Sequence, residues 1–320
     1  MRRIPSAVAL PVLALLAAGA VAASVRFGPV RAEEVTPVIL ELRFARAMLV
    51  FLAGASLAAA GTVFQGLFRN GLADPFVVGV SGGAALGAVA ATVAGLELSF
   101  MGLGAPVAAA FAGALGAAFL AYRLARVRGR VSVASLLLAG SAIAAFSSAM
   151  VSVLLLFSQR SWGEVIAWLM GFVNDTAPWD RVVVLAPCLV LSLAVLLFFA
   201  RDLDLLLLGE EGARQLGVEA ERSKLWLLGA GSIAAAGAVA TCGIIGFVGL
   251  IVPHVLRTLV GPRHRALLPA AVLGGGLLLL LADLASRALL PSRPLPVGSV
   301  TALLGAPFFI YLLRRQAGRA

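Results

Sequence analysis

Apolar residues run along this chain in long blocks, broken by short clusters of Arg, Asp, Glu, Gly and Pro. A helix needs about 20 residues to cross the hydrocarbon core of a bilayer, so blocks of that length predict spanning helices. Ten spans can be cut, at about 6–25, 47–68, 76–95, 101–122, 132–157, 182–200, 225–245, 247–261, 266–290 and 297–313. The eighth is short and carries Pro253, His254 and Arg257, so its limits are the least defined. One stretch breaks the rhythm: a charged island runs from Arg201 to Lys224. Within it Leu203, Leu205, Leu206, Leu207, Leu208, Ala213, Leu216 and Val218 supply apolar contacts, and Glu210, Glu211, Arg214 and Glu219 supply polar ones. Gly217 is expected to divide the island into two short helices. A long charged loop that keeps a helical pattern predicts a docking surface for a soluble partner. A loop lying on the lipid headgroups is the other reading.

Composition closes off other classes. Of 320 residues 61% are hydrophobic and 12% charged, too little polar surface for a soluble fold of this length. An all-α integral membrane protein, one polytopic domain over residues 1–320, is expected. The net charge is +10, and Lys224 is the single lysine. The arginines sit at the ends of apolar runs with no aromatic-interleaved basic patch, so they read as topology signal and not as a nucleic-acid surface. Putting the N-terminus in the cytoplasm places most of the basic residues on cytoplasmic ends and loops, with both termini inside. Residues 1–26 imitate a signal peptide, with Arg2 and Arg3 before an apolar run. That run is long enough to span, and removing it would reverse every loop, so it is expected to stay as the first span. Cys188 and Cys242 are isolated in apolar runs and build neither a disulfide framework nor a metal site.

The chain also resembles itself. Leu52 to Gly61 (LAGASLAAAG) lines up with Leu228 to Gly237 (LGAGSIAAAG) at a constant offset of 176. These segments fall in the second and seventh spans, which cross in opposite directions. Spans 2–5 and 7–10 then read as an inverted repeat of the kind many transporters use to open alternately to either side. Chance similarity between Ala/Gly-rich helices is the competing explanation.

Two further segments carry unusual residues. In Gln65 to Ala84, Asp74-Pro75 forms a helix stop and restart, and Gly79, Gly82 and Gly83 permit close approach or an unwound turn. This reads either as a gate or as simple helix packing. In Gly243 to Arg257, Pro253, His254 and Arg257 lie in an apolar stretch, where polar side chains must face protein, water or headgroups. A capping or interfacial role suits His254 better than metal ligation, since no second ligand accompanies it. Asp283, buried in the ninth span, has Arg287 one turn later. The two form either a structural i,i+4 ion pair or a proton-coupling site. No phosphate-binding G-x-x-x-x-G-K-[ST] loop and no catalytic constellation is present.

These segments, with Leu295 to Phe309 (LPVGSVTALLGAPFF) and nearly all of the chain after residue 40, resemble the FecCD-like family of permease subunits of ABC importers for iron-siderophores, heme and cobalamin. The resemblance implies the type II permease fold of ten spans, working as a homodimer in the bacterial or archaeal cytoplasmic (inner) membrane. It implies a non-catalytic transport subunit that binds no cofactor of its own. ATP and Mg would belong to a cytoplasmic ABC ATPase dimer, and a periplasmic or surface-anchored protein would deliver substrate. Gly209, Glu210, Glu211, Ala213, Arg214, Gln215, Leu216 and Gly217, within the 201–224 island, would be the cytoplasmic coupling helices. Arg43 and Arg46, together with Arg293, would meet carboxylates of the binding protein, although Phe44-Ala45 stands where the family usually has Leu-Pro. Ser132, Val133 and Ala134 would form one translocation gate, more apolar than in members with hydroxyls there, and Ser81, Gly82 and Gly83 a second. The substrate, whether siderophore, heme or cobalamin, stays open. A proton-coupled secondary transporter using Asp283 or His254 is the alternative.

Overall fold

The computed structural model describes residues 4–28, 36–96, 99–100, 103–127, 129–157, 162–173, 178–289 and 295–317. Among them the long helices are α1 (Ser6–Arg26), α2 (Pro37–Leu67), α3 (Val80–Val93), α4 (Ala105–Ala125), α5 (Val133–Leu156), α7 (Pro178–Phe198), α10 (Ala220–Cys242), α11 (Val248–Val260), α12 (His264–Leu289) and α13 (Val297–Ala317). Shorter helices are α6 (Trp162–Leu169), α8 (Ala200–Leu206) and α9 (Glu210–Gln215). Two-residue strands β1 (Ser99–Phe100) and β2 (Leu103–Gly104) precede α4, and β3 (Arg126–Val127) and β4 (Arg130–Val131) form a hairpin between α4 and α5. Seven helices are long and apolar enough to span a membrane, while 80–93, 248–260 and 297–312 are shorter apolar helices. The ten long helices coincide with the ten expected spans.

Side-chain size separates the packed faces of the helices from the outer surface. The buried residues of α4 are Ala105, Ala110, Ala114, Ala117, Ala121 and Ala125, whereas Phe119, Leu120 and Leu124 are exposed. In α5, Leu138, Phe146 and Leu156 also point outward. A soluble bundle turns its large apolar groups inward. Here lipid is as good a solvent for Leu as the protein is, so small residues line the contacts and let backbones approach.

At the centre, α2 and α10 are buried nearly all round. They pack on each other. Gly231 leaves its space to the Phe64 ring, which would lie 3.1 Å from an added Cβ. Against α12, α2 runs antiparallel in a fixed register: Arg46 meets Asp283, Gly54 meets Gly275, and Gly66 meets His264. An added Cβ at Gly54 would collide with the Gly275 carbonyl. The same device joins α3 to α4, where Gly83 and Gly113 each face the other's carbonyl.

Helix α2 begins well before the expected residue 47. Thr36 caps it by accepting from the Ile39 N–H at 3.4 Å, and Pro37 occupies its first turn. Helix α3 spans about 21 Å at 1.5 Å per residue, and it is entered through a 3-10 turn at Pro75–Val78 and Gly79 with φ +85°.

Candidate coupling surface and gate

The charged island folds into α8, α9 and the first turns of α10. The expected break at Gly217 is real, with φ +84°, but it separates α9 from α10. The two short helices are divided earlier, at Gly209 with φ +112°. Both values lie where glycine is favoured because it has no Cβ. Glu210 and Glu211 occupy the first turn of α9 and Arg214 its last, the arrangement that complements the helix dipole.

One face of this unit is anchored. Leu203, Leu206, Ala213, Val218 and Ala220 are buried in the same cluster as Leu67, Phe68 and Leu227. The opposite face shows Leu207, Leu208, Glu211, Gln215 and Leu216 to the exterior, Leu208 at 69% and Leu216 at 55% exposed. Large apolar groups mixed with carboxylate and amide thus stand on the outer side of a short helix whose inner side is packed in the core.

Beneath it lies a charged cluster. Lys224 Nζ is 2.7 Å from Glu221 Oε1 and 2.9 Å from Glu210 Oε1, and it donates to the Val131 carbonyl at 3.0 Å. The Val131 N–H donates to Glu221 Oε2 at 3.0 Å. Arg214 approaches Glu210 at 3.8 Å and Glu221 at 3.9 Å. Nearby, Ser223 donates to Asp202 at 2.6 Å, and His264 Nδ1 lies 2.6 Å from Asp204. These contacts were not anticipated from sequence. The signal available was the single lysine, which stands three residues after Glu221 and fourteen after Glu210, the second an acid that only the fold brings to it.

Of the expected gate residues, Ser132 caps α5 by accepting from the Ser135 N–H at 3.5 Å, Val133 is half-buried and Ala134 is exposed. Val133 also lines a cleft of about 260 Å³ with Leu67, Phe68, Arg69, Leu206, Glu210 and Lys224. This first gate segment therefore adjoins α9. The second does not: Gly82 packs on Ala144 and Ser147 of α5, and Gly83 on Gly113 of α4, with Ser81 half-buried beside them. Ala144 is about 15 Å along α5 from Ala134 at 1.5 Å per residue, so the two expected gates lie at different depths. Gly82 and Gly83 act as close-packing positions in this conformation.

The expected docking arginines lie differently from what an exposed pair requires. Arg46 is 7% exposed and binds Asp283 with Nη2 at 2.7 Å and Nε at 3.2 Å. Arg287 reaches the other Asp283 oxygen at 2.9 Å and donates to Ser24 Oγ at 2.7 Å and to the Phe27 carbonyl at 3.3 Å. Arg43, also buried, donates to the carbonyls of Val25 and Arg26 at 3.3 and 3.4 Å. Both guanidiniums are buried and bind acceptors on α1 and α12, partners that sequence proximity could not reveal. Arg293 lies outside the described residues. Asp283 and Arg287 form the expected i,i+4 pair, with Arg46 as an added third member.

The connection between α2 and α3 is pinned to α11. Gln65 donates to the carbonyls of Gly249 and Leu250 at 3.3 and 3.0 Å and accepts from Arg257 at 3.0 Å. Asp74 accepts from the Phe76 N–H at 2.9 Å. Burial pushes its carboxyl up to about 6, against the pull of the Phe76 and Phe247 N–H groups. His254 meets Phe308 edge-on with ring centroids 6.5 Å apart. Among the described residues no group of three His, Cys, Asp or Glu is placed to hold a metal ion. A short helix, α6, occupies a stretch left without any element in the sequence reading; it is too brief to register as a span.

A profile of the FecCD transport family matches residues 7–315. The chain belongs to that family. A cobalamin import system permease protein of Halobacterium salinarum is 46% identical over 94% of this chain and 79% of its own length. A hemin transport system permease protein of Yersinia pestis is 42% identical over 87% of this chain and 83% of its own. Among solved structures, a metal-chelate type ABC transporter in an inward-facing conformation superposes with a TM-score of 0.85 at 33% identity, covering 97% of this chain and 99% of that one. The FecCD chain described here is therefore a multi-pass membrane permease with the architecture of that transporter.

Proposed function

We propose that this FecCD permease is the transmembrane subunit of an ATP-driven importer that carries an iron chelate or a tetrapyrrole into the cytoplasm by alternating access. The observation that carries this reading is the outward face of α9. It is apolar and acidic, rigidly backed by the core, and set beside the start of α5. A permease driven by a separate ATPase needs such a face, and a self-sufficient secondary transporter does not.

In this reading a homodimer encloses the pathway, and a cytoplasmic ABC ATPase dimer seats against α9. The end of the bundle carrying α9 is cytoplasmic, as the arginine distribution favours. The described N-terminus belongs at that end too, since the Ile4 N–H donates to the Leu259 carbonyl at 2.9 Å. A binding protein delivers substrate at the far end, where Arg43 and Arg46 support the surface from beneath. ATP binding displaces α9, and the gate at Ser132, Val133 and Ala134 responds. The rival proton-coupled scheme loses its best residue, because Asp283 is held between two guanidiniums.

The test is uptake of labelled ferric siderophore, heme and cobalamin into vesicles holding the permease, its ATPase and its binding protein. Uptake of one class that requires ATP and survives a protonophore is expected. Uptake that ignores ATP and collapses with the protonophore would overturn the reading.

A further inference from the structure

Lys224 is 3% exposed, inside the first turns of α10. A buried ammonium needs acceptors in place of water, or it is strongly unfavourable. It has three donor hydrogens, and three acceptors stand within 3.0 Å: Glu210 on α9, Glu221 on its own helix, and the Val131 carbonyl of β4. Glu221 also accepts from the Val131 N–H. Val131 is thus gripped at both backbone groups, and the next residue, Ser132, is the cap of α5.

We propose that Lys224 is a coupling pin, a positioning residue that transmits displacement of α9 to the cytoplasmic end of α5. This rests on the importer reading above. Two features distinguish a pin from simple packing. Its bonds join three separate elements, and the one on α9 is made to Glu210, in the same turn as the exposed Glu211. In addition, one side of the pin borders the 260 Å³ cleft that also touches Val133. The cleft leaves room for α9 and the start of α5 to shift as a linked pair. The unpinned alternative is that α9 and α5 move independently through contacts elsewhere in the core.

The experiment uses the full complex in vesicles, with Cys188 and Cys242 replaced by Ser and a spin label at Leu138→Cys, an exposed position of α5 beyond the gate residues. The label-to-label distance across the dimer is read with and without a non-hydrolysable ATP analogue, beside ATP hydrolysis and uptake. In the otherwise unaltered labelled complex the distance is expected to change on nucleotide binding. With Lys224→Met, hydrolysis persists, the distance no longer responds, and uptake per ATP falls about tenfold, the factor that loss of the α9 hydrogen bond to Glu210 alone would give. Glu210→Gln breaks only the α9 half of the link at a partly exposed position, so it serves if Lys224→Met does not assemble, and the same loss of response is expected. A distance that still follows nucleotide in whichever variants assemble overturns the pin. A distance that ignores nucleotide in the reference complex, with no ATP-dependent uptake, sinks the importer reading and this proposal with it. If uptake there is ATP-dependent but the distance stays fixed, the pin alone falls.

Discussion

Towards each end of α2 stands a charged cluster, and the two differ in exposure. At one end Arg46, Asp283 and Arg287 are all less than a tenth exposed, and Arg287 is also held by Ser24 Oγ of α1 and the Phe27 carbonyl. At the other, a single buried cation, Lys224, is held by Glu210 and Glu221, whose side chains are 36% and 28% exposed. A sealed cluster cannot rearrange without leaving a bare charge in a low-dielectric interior. A cluster with wet partners can, because its carboxylates are resolvated as they move. The first therefore reads as a fixed clasp joining α1, α2 and α12, and the second as a joint.

Substitutions separate the clasp from the joint most sharply. Asp283→Ala leaves two guanidiniums without their shared carboxylate and is expected to cost roughly 3–5 kcal/mol, seen as a large drop in the unfolding temperature of the detergent-solubilised protein. Replacing Arg46, Asp283 and Arg287 together by apolar residues of similar size should cost much less, since no charge is then left unpaired. A smaller effect is expected at Asp74, a buried acid held by N–H groups. Its pKa in the folded protein, about 6, lies above the ordinary 3.8. The folded state then binds the proton more tightly, so stability falls as pH rises from about 4 to about 6, by on the order of 2 kcal/mol. Asp74→Asn should flatten that profile in thermal melts across the range. Lys224→Met is expected to cost only about 1–2 kcal/mol, because its acidic partners turn to solvent, while transport suffers far more than stability. Leu216→Asp, on the exposed face of α9, should change the melt by less than about 0.5 kcal/mol and yet abolish co-purification of the ATPase. A Leu216→Asp chain that still retains its ATPase would move the docking face elsewhere.

The same contrast explains what could be read from sequence. The ten helices were legible because apolar blocks of spanning length have one solution in a bilayer. The island that folds into α8 and α9 was legible because charge is rare in such a chain. The start of α2 was placed too late, since Arg43 and Arg46 looked like the edge of the membrane. Their partners, Asp283 and the α1 carbonyls, are brought near only by the fold. Lys224 was likewise taken as the last residue of a loop, although α10 begins at Ala220. In each case a charge was read as a boundary when it was a buried contact across long sequence separation. Gly82 and Gly83 carried an ambiguity of another kind: glycine serves a gate and a tight helix crossing equally well, and here it is matched to facing backbone.

The most direct test of the central claim is the intact mass of the complex, released gently from its native membrane. Two copies of this chain with two copies of a nucleotide-binding ATPase are predicted, and the ATPase should be lost with Leu216→Asp. A chain that emerges alone under several mild detergents, with no ATPase at any protein concentration, would contradict the account.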